Sequence, residues 1–519
     1  MGPRANGHPD PEGVAAPSRE ARIVIIGAGF SGLGMAIRLK QAGIEDFVVL
    51  ERAEEVGGTW HYNTYPGCQC DVPSHLYSFS FALNPDWSRT YSTQPEIWEY
   101  LRRCASEQGL TPHLRMGHEM LSASWDESEG IWRLETSRGE FRAQFLVMAP
   151  GGLAEPRLPE IPGIDEFEGA AFHSAQWNHD CDLTGKRVAV VGTGASAIQV
   201  VPSIQPEVEQ LYVYQRTPPW VMPHRDRPVT PLERRIYRAL PFTQRLVRAA
   251  VYWMRETLVF GMVRNKRLLR PLQRIASRHL HQQVSDRELQ RKLRPSYTIG
   301  CKRILPSNDY YPALAQPNVE LVTEGIRQVR GSAIVSEDGV EREVDAIVFG
   351  TGFYVTDMPF AARVRGREGR ELGEVWDGSP QAYLGTTVAG FPNLFLMIGP
   401  NTGLGHNSIV FMAEAQIAYV MDCLRVVEDR GLESVEVRDE VQLAYNEELQ
   451  AGLKDTVWTA GGCSSWYIDA KGRCTTIWPD FTWRFRRRLR RFDPESYVLG
   501  NGAVPTERAG AAVREPAST

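Results

Sequence analysis

Two glycine-rich turns at matched register constrain the fold of this chain more strongly than any other feature of its sequence. They lie in RIVIIGAGFSG (residues 22–32) and RVAVVGTGASAIQ (residues 187–199). In each, a β-branched run predicts a strand, and the glycines predict a tight turn that brings a pyrophosphate to a helix N-terminus. We therefore predict an α/β fold with two Rossmann-like dinucleotide-binding domains. The residues expected to contact the nucleotides are Gly27, Gly29, Phe30, Ser31 and Gly32 in the first turn, and Gly192, Thr193, Gly194, Ala195, Ser196, Ala197 and Gln199 in the second.

The residue that follows the second strand differs between the two predicted domains. Glu51 lies 24 residues after Gly27, and Arg216 lies 24 residues after Gly192. A carboxylate at this position accepts hydrogen bonds from ribose hydroxyls but repels a 2′-phosphate, whereas a guanidinium binds that phosphate through charge-assisted bonds. The first domain is therefore expected to bind FAD, and the second NADPH.

The overall charge and the cysteines exclude several classes of protein. The formal net charge is −5, so no basic field indicates a nucleic-acid partner. The eight cysteines lack the spacing of a zinc site or a disulfide framework, which favours a cytoplasmic location and no bound metal. Cys68 and Cys70 form a C-x-C pair, whereas flavin disulfide reductases need a more widely spaced pair beside the flavin.

The apolar and basic segments do not predict a membrane anchor. The run AAVYWMRETLVFGMV (residues 249–263) is interrupted by Arg255 and Glu256, so we expect no stable membrane insertion. The basic run RFRRRLRR (residues 484–491) is interpreted as a solvated or internally paired segment. The sequence indicates no protein partner.

Strand and helix patterns predict that the FAD-binding domain is discontinuous. DAIVFGTGF (residues 345–353) and FPNLFLMIGPNTGLGHNS (residues 391–408) are interpreted as strands that return to it. Residues 230–297 are rich in helix formers, so we expect a helical subdomain whose arginine-rich pattern fits a membrane-facing surface or a lid. We favour a lid or packing role. The predicted boundaries are a disordered lead at 1–20, the FAD-binding domain at 21–155 and 345–498, the NADPH-binding domain at 156–344 and a disordered tail at 499–519.

Three further motifs resemble those of one flavoprotein family. GGTWHYNTYPGCQCD (residues 57–71) follows the first acid, and GCKRILPSNDYYPAL (residues 300–314) lies near the end of the second domain. Between them stands F-x-G-x-x-x-H-x-x-x-W, formed by Phe167, Gly169, His173 and Trp177. This set is similar to the motifs of the type I Baeyer–Villiger monooxygenases, over about residues 20–495. One departure is Asn178, where that family usually has proline or aspartate.

The resemblance implies an enzyme that uses FAD, NADPH and O2 to insert one oxygen atom beside a ketone carbonyl, giving an ester or lactone. In that family the reaction passes through a C4a-peroxyflavin and a tetrahedral (Criegee) adduct, both of which carry negative charge. The resemblance therefore assigns Arg303 to stabilise this charge in a dry pocket. It assigns Asp71 to pair with Arg303 and orient it.

The resemblance also implies roles beside the cofactors. Lys302 is expected to help Arg216 and Thr217 hold the 2′-phosphate, and Tyr77 is expected to lie near the flavin ring. His173 is interpreted as a linker residue that orders domain movement or cofactor position, rather than as a base. The remaining expected cofactor contacts are Glu51, Thr59, Trp60, Asp71 and Thr351.

Several alternatives stay open at this point. Trp466 could approach the nicotinamide or the substrate, but burial of a large aromatic side chain explains it equally well. A flavin monooxygenase that oxygenates amines or sulfides would share the fold and both cofactors, and a non-catalytic nucleotide-binding flavoprotein would share the motifs. The motifs do not distinguish linear, cyclic, aromatic and polycyclic ketones.

Overall fold

The computed structural model describes residues 19–500, which form strands β1–β20 and helices α1–α14. The strands are β1 Arg19–Ile26, β2 Phe47–Leu50, β3 Leu114–Arg115, β4 Met120–Asp126, β5 Ile131–Thr136, β6 Gly139–Met148, β7 Ala170–His173, β8 Arg187–Val191, β9 Gln210–Tyr214, β10 Val221–Met222, β11 Leu305–Pro306, β12 Val319–Val322, β13 Ile326–Arg330, β14 Ala333–Ser336, β15 Glu341–Glu343, β16 Ala346–Phe349, β17 Val364–Arg365, β18 Leu394–Leu396, β19 Ser434–Val437 and β20 Tyr497–Gly500. The helices are α1 Phe30–Gln41, α2 Thr59–Tyr62, α3 Gln94–Glu107, α4 Ala197–Ile204, α5 Pro231–Ala239, α6 Pro241–Glu256, α7 Arg270–Gln283, α8 Arg287–Leu293, α9 Tyr310–Leu314, α10 Leu372–Trp376, α11 Ile409–Arg430, α12 Asp439–Leu453, α13 Val457–Ala460 and α14 Thr482–Arg488.

The first sheet takes strands from both ends of the chain. Its order is β17-β4-β5-β6-β1-β2-β3, and β18 pairs in parallel with β6. The second half of β1 and all of β2 are buried, as expected for parallel strands covered on both faces. The two helices α1 and α11 pack against each other over this sheet. The carboxyl ends of β1 and β6 therefore meet at one edge, where the first glycine-rich turn begins.

The second sheet is entirely parallel, in the order β12-β9-β8-β16-β7. This order corrects the interpretation of residues 345–353, because β16 lies between β8 and β7 instead of returning to the first sheet. A short buried strand followed by a glycine turn looks the same in either sheet, so the local pattern could not distinguish them. The first sheet regains strands only at β17 and β18.

Residues 231–293 contain four α-helices, α5–α8. The first of them begins with a capping box, in which the Thr230 hydroxyl accepts from the N–H of Glu233 and the Glu233 carboxylate accepts from the N–H of Thr230. This arrangement satisfies two N–H groups that a helix terminus otherwise leaves unpaired. No helix within residues 19–500 has both the length and the hydropathy needed to cross a membrane.

Strands extend slightly into the predicted lead and tail. Arg19 in β1 pairs with Phe141 in β6, and Leu499 in β20 pairs with Val435 in β19. Residues 19–20 and 499–500 are therefore ordered by backbone pairing, which composition alone does not reveal. The predictions for residues 1–18 and 501–519 lie outside the described residues.

A disulfide joins Cys301 to Cys463, which corrects the expectation of unpaired cysteines. The two residues are 162 positions apart, so no spacing pattern marks them as a pair. The six other cysteines are free, and one bridge does not make a disulfide framework. It does fix the segment that precedes Lys302 and Arg303 to the C-terminal part of the chain.

Candidate active site

The first glycine-rich turn brings the end of β1 against the end of β6. A Cβ atom at Gly27 would lie 2.5 Å from the carbonyl oxygen of Ala149, and one at Gly32 would collide with the carbonyl oxygen of Gly27. Gly27 also has a φ of +101°, which favours glycine. Helix α1 starts at Phe30 without a side-chain cap from Gly29. Its first N–H groups are thus suited to a phosphate group.

Glu51 lies directly after β2 and is buried. Its carboxylate accepts from the N–H groups of Ala28, at 2.7 Å, and of Ala53, at 2.9 Å. Each carboxylate oxygen can accept a second hydrogen bond, so Glu51 can hold the turn and a ribose hydroxyl at the same time. Its role toward a nucleotide stays a prediction.

An aromatic group stands beside the first turn. The Trp60 indole, in the helix α2 that Thr59 begins, donates to the Tyr77 hydroxyl at 3.1 Å. The ring centroids of Phe30 and Tyr77 are 5.0 Å apart in an edge-on arrangement. Burial raises the pKa of Tyr77 above its usual range, so its phenol stays protonated. The predicted flavin contacts Phe30, Ser31, Thr59, Trp60 and Tyr77 therefore lie around one turn.

The second turn repeats the geometry of the first. Gly192 has a φ of +115°, and a Cβ atom there would collide with the carbonyl oxygen of Gly350 after β16. The Thr193 hydroxyl donates to the carbonyl oxygen of Thr217 at 3.0 Å, which holds the turn against the segment after β9. Gly194 and Ala195 are exposed. Backbone N–H groups at this turn can therefore meet a ligand from solvent.

Two of the predicted cofactor contacts, Gln199 and Thr351, are bonded to protein groups. The Gln199 amide accepts from the Tyr65 hydroxyl at 3.0 Å and donates to the carbonyl oxygen of Gln69 at 2.8 Å. The Thr351 hydroxyl donates to the carbonyl oxygen of Arg157 at 2.6 Å. Gln199 thus joins α4 to the loop that leads to Asp71, and both nucleotide roles stay predictions.

Two cations lie close together beside the second turn. Arg216 is exposed, whereas Lys302 is partly buried, with its Nζ atom 5.5 Å from the centroid of the Tyr297 ring. Burial lowers the pKa of Lys302, and the neighbouring charge of Arg216 lowers it further. Like charges held together are unfavourable unless an anion joins them. A dianionic 2′-phosphate would offset the positive charges of these two residues.

Asp71 and Arg303 form a bidentate ion pair, in which the Arg303 Nε and Nη2 atoms each donate to one Asp71 oxygen. Their side chains are 18 % and 29 % exposed, respectively. The charge of Arg303 and its hydrogen bonds hold the pKa of Asp71 below its usual range, although burial acts in the opposite direction. The pair therefore stays ionised at neutral pH. A forked pair fixes the guanidinium plane, while its partial exposure leaves the cation accessible to a substrate.

The segment from Phe167 to Trp177 forms the outer strand of the second sheet and its ends. A Cβ atom at Gly169 would lie 2.6 Å from the Phe167 ring, and the Trp177 ring packs edge-on against Phe172 at 5.1 Å. His173 is the last residue of β7, and its Nδ1 atom accepts from the N–H of Ala175 at 3.1 Å.

The His173 imidazole is almost fully buried. Burial lowers the pKa of His173 to about 4, so the ring is neutral at pH 7. Its Nε2 atom has no hydrogen-bond partner among the described residues. A neutral imidazole that accepts from the N–H of Ala175 is suited to shaping the linker. The functional role of His173 stays a prediction.

Trp466 is 48 % exposed and packs on the Tyr467 ring with centroids 4.3 Å apart. The interpretation of Trp466 as a buried core residue is therefore wrong, because the structure buries the neighbouring Tyr467 instead. Burial raises the pKa of Tyr467 to about 12, although the positive charge of Arg303 acts in the opposite direction. The contact of Trp466 with nicotinamide or substrate stays a prediction.

Two residues at the end of α6 belong to the site but were not predicted from the sequence. Arg255 donates to the backbone carbonyl oxygens of Asp71, at 3.1 Å, and of His406, at 3.0 Å. Glu256 is buried and accepts from the His406 ring, at 3.1 Å, and the Asn407 amide, at 2.7 Å. Arg255 and Glu256 interrupt an apolar run of the sequence, and this interruption was interpreted only as evidence against a membrane span.

Glu256 also accepts from the Thr482 hydroxyl at 2.6 Å. We expect Glu256→Ala to lower the apparent Tm by several degrees, because four buried donor groups, including the backbone N–H of Thr482, would lose their acceptor at a cost of about 3–5 kcal/mol. Thermal unfolding followed by circular dichroism measures this. Glu447→Ala, at an exposed position on α12, is the matched control, and an equal Tm for both variants would contradict the role of Glu256.

The cysteines near the first turn are unsuited to thiol chemistry. Burial raises the pKa of Cys68 to about 12, and it raises the pKa of Cys70 further. Thiolates are the reactive form of cysteine, so neither residue is poised for disulfide exchange. The site thus contains two dinucleotide turns and an Arg303–Asp71 pair, a combination that defines a nucleotide-dependent flavoprotein oxidoreductase.

Comparisons with known proteins narrow this class. Residues 24–241 match the family described as pyridine nucleotide-disulphide oxidoreductase. The chain is 52 % identical over 486 residues to a Baeyer-Villiger monooxygenase of Pseudomonas aeruginosa, covering 93 % of this chain and 92 % of that protein. It is also 52 % identical over 479 residues to a Baeyer-Villiger monooxygenase of Streptomyces coelicolor, covering 92 % of each. The chain therefore belongs to the Baeyer–Villiger monooxygenases.

Solved structures agree with this assignment. Cyclohexanone monooxygenase from Rhodococcus sp. Phi1 bound to NADP+ is similar with a TM-score of 0.82 and 30 % identity, over 93 % of this chain and 99 % of that one. The OTEMO complex with FAD and NADP is similar with a TM-score of 0.82 and 26 % identity, over 93 % and 100 %. The predictions of the family, the α/β fold class and a flavin monooxygenase are confirmed.

Proposed function

We propose that Arg303, oriented by Asp71, is the cation at which this Baeyer–Villiger monooxygenase oxygenates a small-molecule ketone with O2. The bidentate contact between the two side chains is the observation that carries the proposal. It fixes the guanidinium in one plane at a partly exposed position. The product would be an ester or a lactone with one oxygen atom inserted beside the carbonyl carbon.

The chain uses FAD and NADPH, so the prediction of both cofactors is confirmed. When bound, the reduced flavin supplies oxygen activated as a nucleophile. Arg303 would stabilise negative charge on that oxygen and, after attack on the ketone, on the former carbonyl oxygen. Because Asp71 already holds its guanidinium, little reorganisation is needed as this charge develops. Arg255 donates to the backbone carbonyl oxygen of Asp71 and would therefore help to hold the loop that carries this residue.

Arg216, Thr217 and Lys302 would select NADPH through its 2′-phosphate. The charge of Arg216, which adds to the effect of burial in lowering the pKa of Lys302, supports this proposal. The need for NADPH and the family's chemistry also support the proposal that the enzyme works in the cytoplasm. The Cys301–Cys463 bridge would be shielded there by burial of Cys301.

Lys302 gives the NADPH interaction a pH dependence. Only protonated Lys302 attracts the phosphate, so we expect KM for NADPH to rise by about tenfold as pH increases through the lowered pKa of this residue. Steady-state kinetics between neutral and alkaline pH measure the rise. Lys302→Arg should abolish it, since guanidinium stays charged, and NADH should not show it. An identical rise with NADH would contradict the assignment.

The proposed reaction is tested with purified holoenzyme, NADPH, ¹⁸O2 and a panel of linear, cyclic, aromatic and polycyclic ketones, with a sulfide alongside. We expect at least one ester or lactone that carries a single ¹⁸O atom. Oxygenation of the sulfide alone would favour the amine- or sulfide-oxygenating alternative. Consumption of NADPH with only hydrogen peroxide as product, for every compound, would overturn the proposal.

A further inference from the structure

Helix α6 is oriented with its polar residues toward the protein. Gln244, Arg248, Tyr252 and Glu256 are spaced four residues apart, and all four are buried. This spacing places them along one face of a helix. A helix at a protein surface ordinarily turns its apolar face inward. In α6 the polar face is turned inward instead, so the composition of its outward face requires an explanation.

The polar groups on the buried face of α6 form hydrogen bonds with residues that follow Asp71. The Arg248 Nη1 atom donates to the carbonyl oxygens of His75, at 2.9 Å, and Ser78, at 2.9 Å. The Gln244 amide donates to the carbonyl oxygen of Asn84 and to the His75 ring, at 2.5 Å and 3.1 Å. The inner face thus packs as a cover over the loop that follows Asp71, in keeping with the lid or packing role expected from the sequence.

The outer face of α6 is apolar and exposed. Phe242, Leu246, Trp253 and Met254 are 55 %, 63 %, 57 % and 63 % exposed. Phe242, Leu246 and Trp253 fall on one side because the helix advances about 100° per residue. The exposed alanines at 249 and 250 lie between them. No other described element covers these side chains, and a row of this kind on water-facing surface is unfavourable.

Neighbouring segments of the chain carry further exposed apolar side chains. Further exposed apolar residues precede α6 in and after α5 and follow it as far as α7: Leu232, Ile236, Leu240, Phe260, Leu268 and Ile275. Of the eighteen exposed large apolar side chains among residues 19–500, ten lie between positions 232 and 275. We call these ten residues the apolar face. Their concentration in one helical segment distinguishes them from the scattered apolar residues of ordinary surfaces.

The charge around the apolar face is strongly positive. Residues 230–283 contain eleven arginines, one lysine and two glutamates, a net charge of +10, in a chain whose formal net charge is −5. Arg235, Arg245, Arg267, Arg270 and Arg274 are exposed, and none of them forms an ion pair with another described residue. An apolar strip of Trp, Phe and Leu flanked by arginines is the composition of helices that lie in a membrane interface.

We propose that the apolar face docks the enzyme on the surface of a lipid bilayer that contains anionic headgroups. The apolar side chains would enter the boundary between headgroups and acyl chains, and the flanking arginines would contact lipid phosphates. A protein partner would need acidic and apolar groups in matched positions, whereas an anionic bilayer offers both over its whole surface. The contact is peripheral and requires no membrane-spanning helix.

Flotation of the FAD-loaded enzyme with vesicles tests this proposal. We expect the wild type to float with vesicles of phosphatidylcholine and phosphatidylglycerol at low salt, and less with phosphatidylcholine alone. Leu246→Glu combined with Trp253→Glu should lower the bound fraction at least about tenfold. Leu443→Glu, at a 57 % exposed position on α12, is the matched control and should bind like the wild type.

A second double variant tests how much the arginines contribute to vesicle binding. Arg235→Gln combined with Arg245→Gln should weaken binding to the anionic vesicles by about fivefold per arginine and reduce its salt sensitivity. All variants should keep the FAD content and Tm of the wild type, because the altered side chains are exposed.

Three results would overturn the proposal. The first is no flotation of the wild type with anionic vesicles at low salt. The second is an equal loss of binding for the Leu443 control and the Leu246 and Trp253 double variant. The third is a wild-type dimer in light scattering that the double variant converts to a monomer, since a second copy of the chain would then cover the apolar face.

Discussion

Replacing Arg303 by alanine is expected to lower kcat/KM for ketone oxygenation by about 10²–10³-fold, the usual effect of removing one group that stabilises developing negative charge. In the wild type the guanidinium is held by both Asp71 oxygens, and alanine at this position supplies no cation. Arg255 is not expected to compensate, because its guanidinium contacts the backbone carbonyl oxygens of Asp71 and His406. Product formation by gas chromatography, with the ketone panel described above, measures the loss.

Two further variants separate chemistry from folding. Arg303→Ala leaves the Asp71 carboxylate without its partner, which alone is destabilising, whereas the double variant with Asp71→Ala removes both charges. Arg303→Lys keeps the charge but loses the fork. We expect the double variant to regain Tm without regaining ketone turnover, and the lysine variant to stay well below the wild type. Sulfide oxygenation retained by Arg303→Ala would indicate an enzyme with two oxygenation modes. Unchanged ketone turnover would remove Arg303 from its proposed role.

Replacing Arg216 by glutamine is expected to raise KM for NADPH by about 10–100-fold, because a charge-assisted bond to phosphate would be lost. Arg216 is exposed beside Lys302, and the two cations would share the 2′-phosphate. NADH lacks this phosphate, so its KM should stay nearly constant. The coenzyme pair thus serves as an internal control.

Flavin reduction followed anaerobically by stopped flow measures the coenzyme preference directly. In the wild type, NADPH should reduce the flavin at much lower concentrations than NADH. In the Arg216→Gln variant the two concentration dependences should converge. Equal increases of KM for both coenzymes would mean that Arg216 supports the fold of the site instead of recognising the phosphate.

The two nucleotide turns could be predicted from the sequence because their requirement is local. At Gly27 and Gly192 the backbone adopts positive φ values and passes a neighbouring carbonyl oxygen at close range, so glycine is needed and the pattern is visible. The sheet to which β16 belongs could not be predicted in the same way. The pairing of β16 with β7 and β8 depends on contacts between segments that are more than 150 residues apart in both cases, and no local period encodes them.

The candidate site likewise contains residues that could be predicted from the sequence and residues that could not. The resemblance indicated Asp71 and Arg303 as a pair, and the structure places their side chains in contact. Arg255 was missed because it acts on a backbone carbonyl oxygen, which leaves no complementary residue type in the sequence to search for. The arginine-rich pattern of residues 230–297 was interpreted as a membrane-facing surface or a lid, but the sequence did not show which side of α6 would face outward. Amphipathic spacing shows that a helix has two faces, but only packing shows which of them is turned to the protein.

Lys302 and Arg303 are consecutive residues with different partners. The first lies beside Arg216 near the second turn, and the second is bonded to Asp71 from the first domain. The backbone between Cys301 and Leu305 is anchored at both ends, by the bridge to Cys463 and by pairing of Leu305 with Val221. A shift of this short segment would therefore move both cations together. Occupancy at the adenosine end of the coenzyme would then be communicated over a single peptide bond to the cation proposed to act on the reacting carbonyl, so that coenzyme retention and readiness for oxygen transfer would change together.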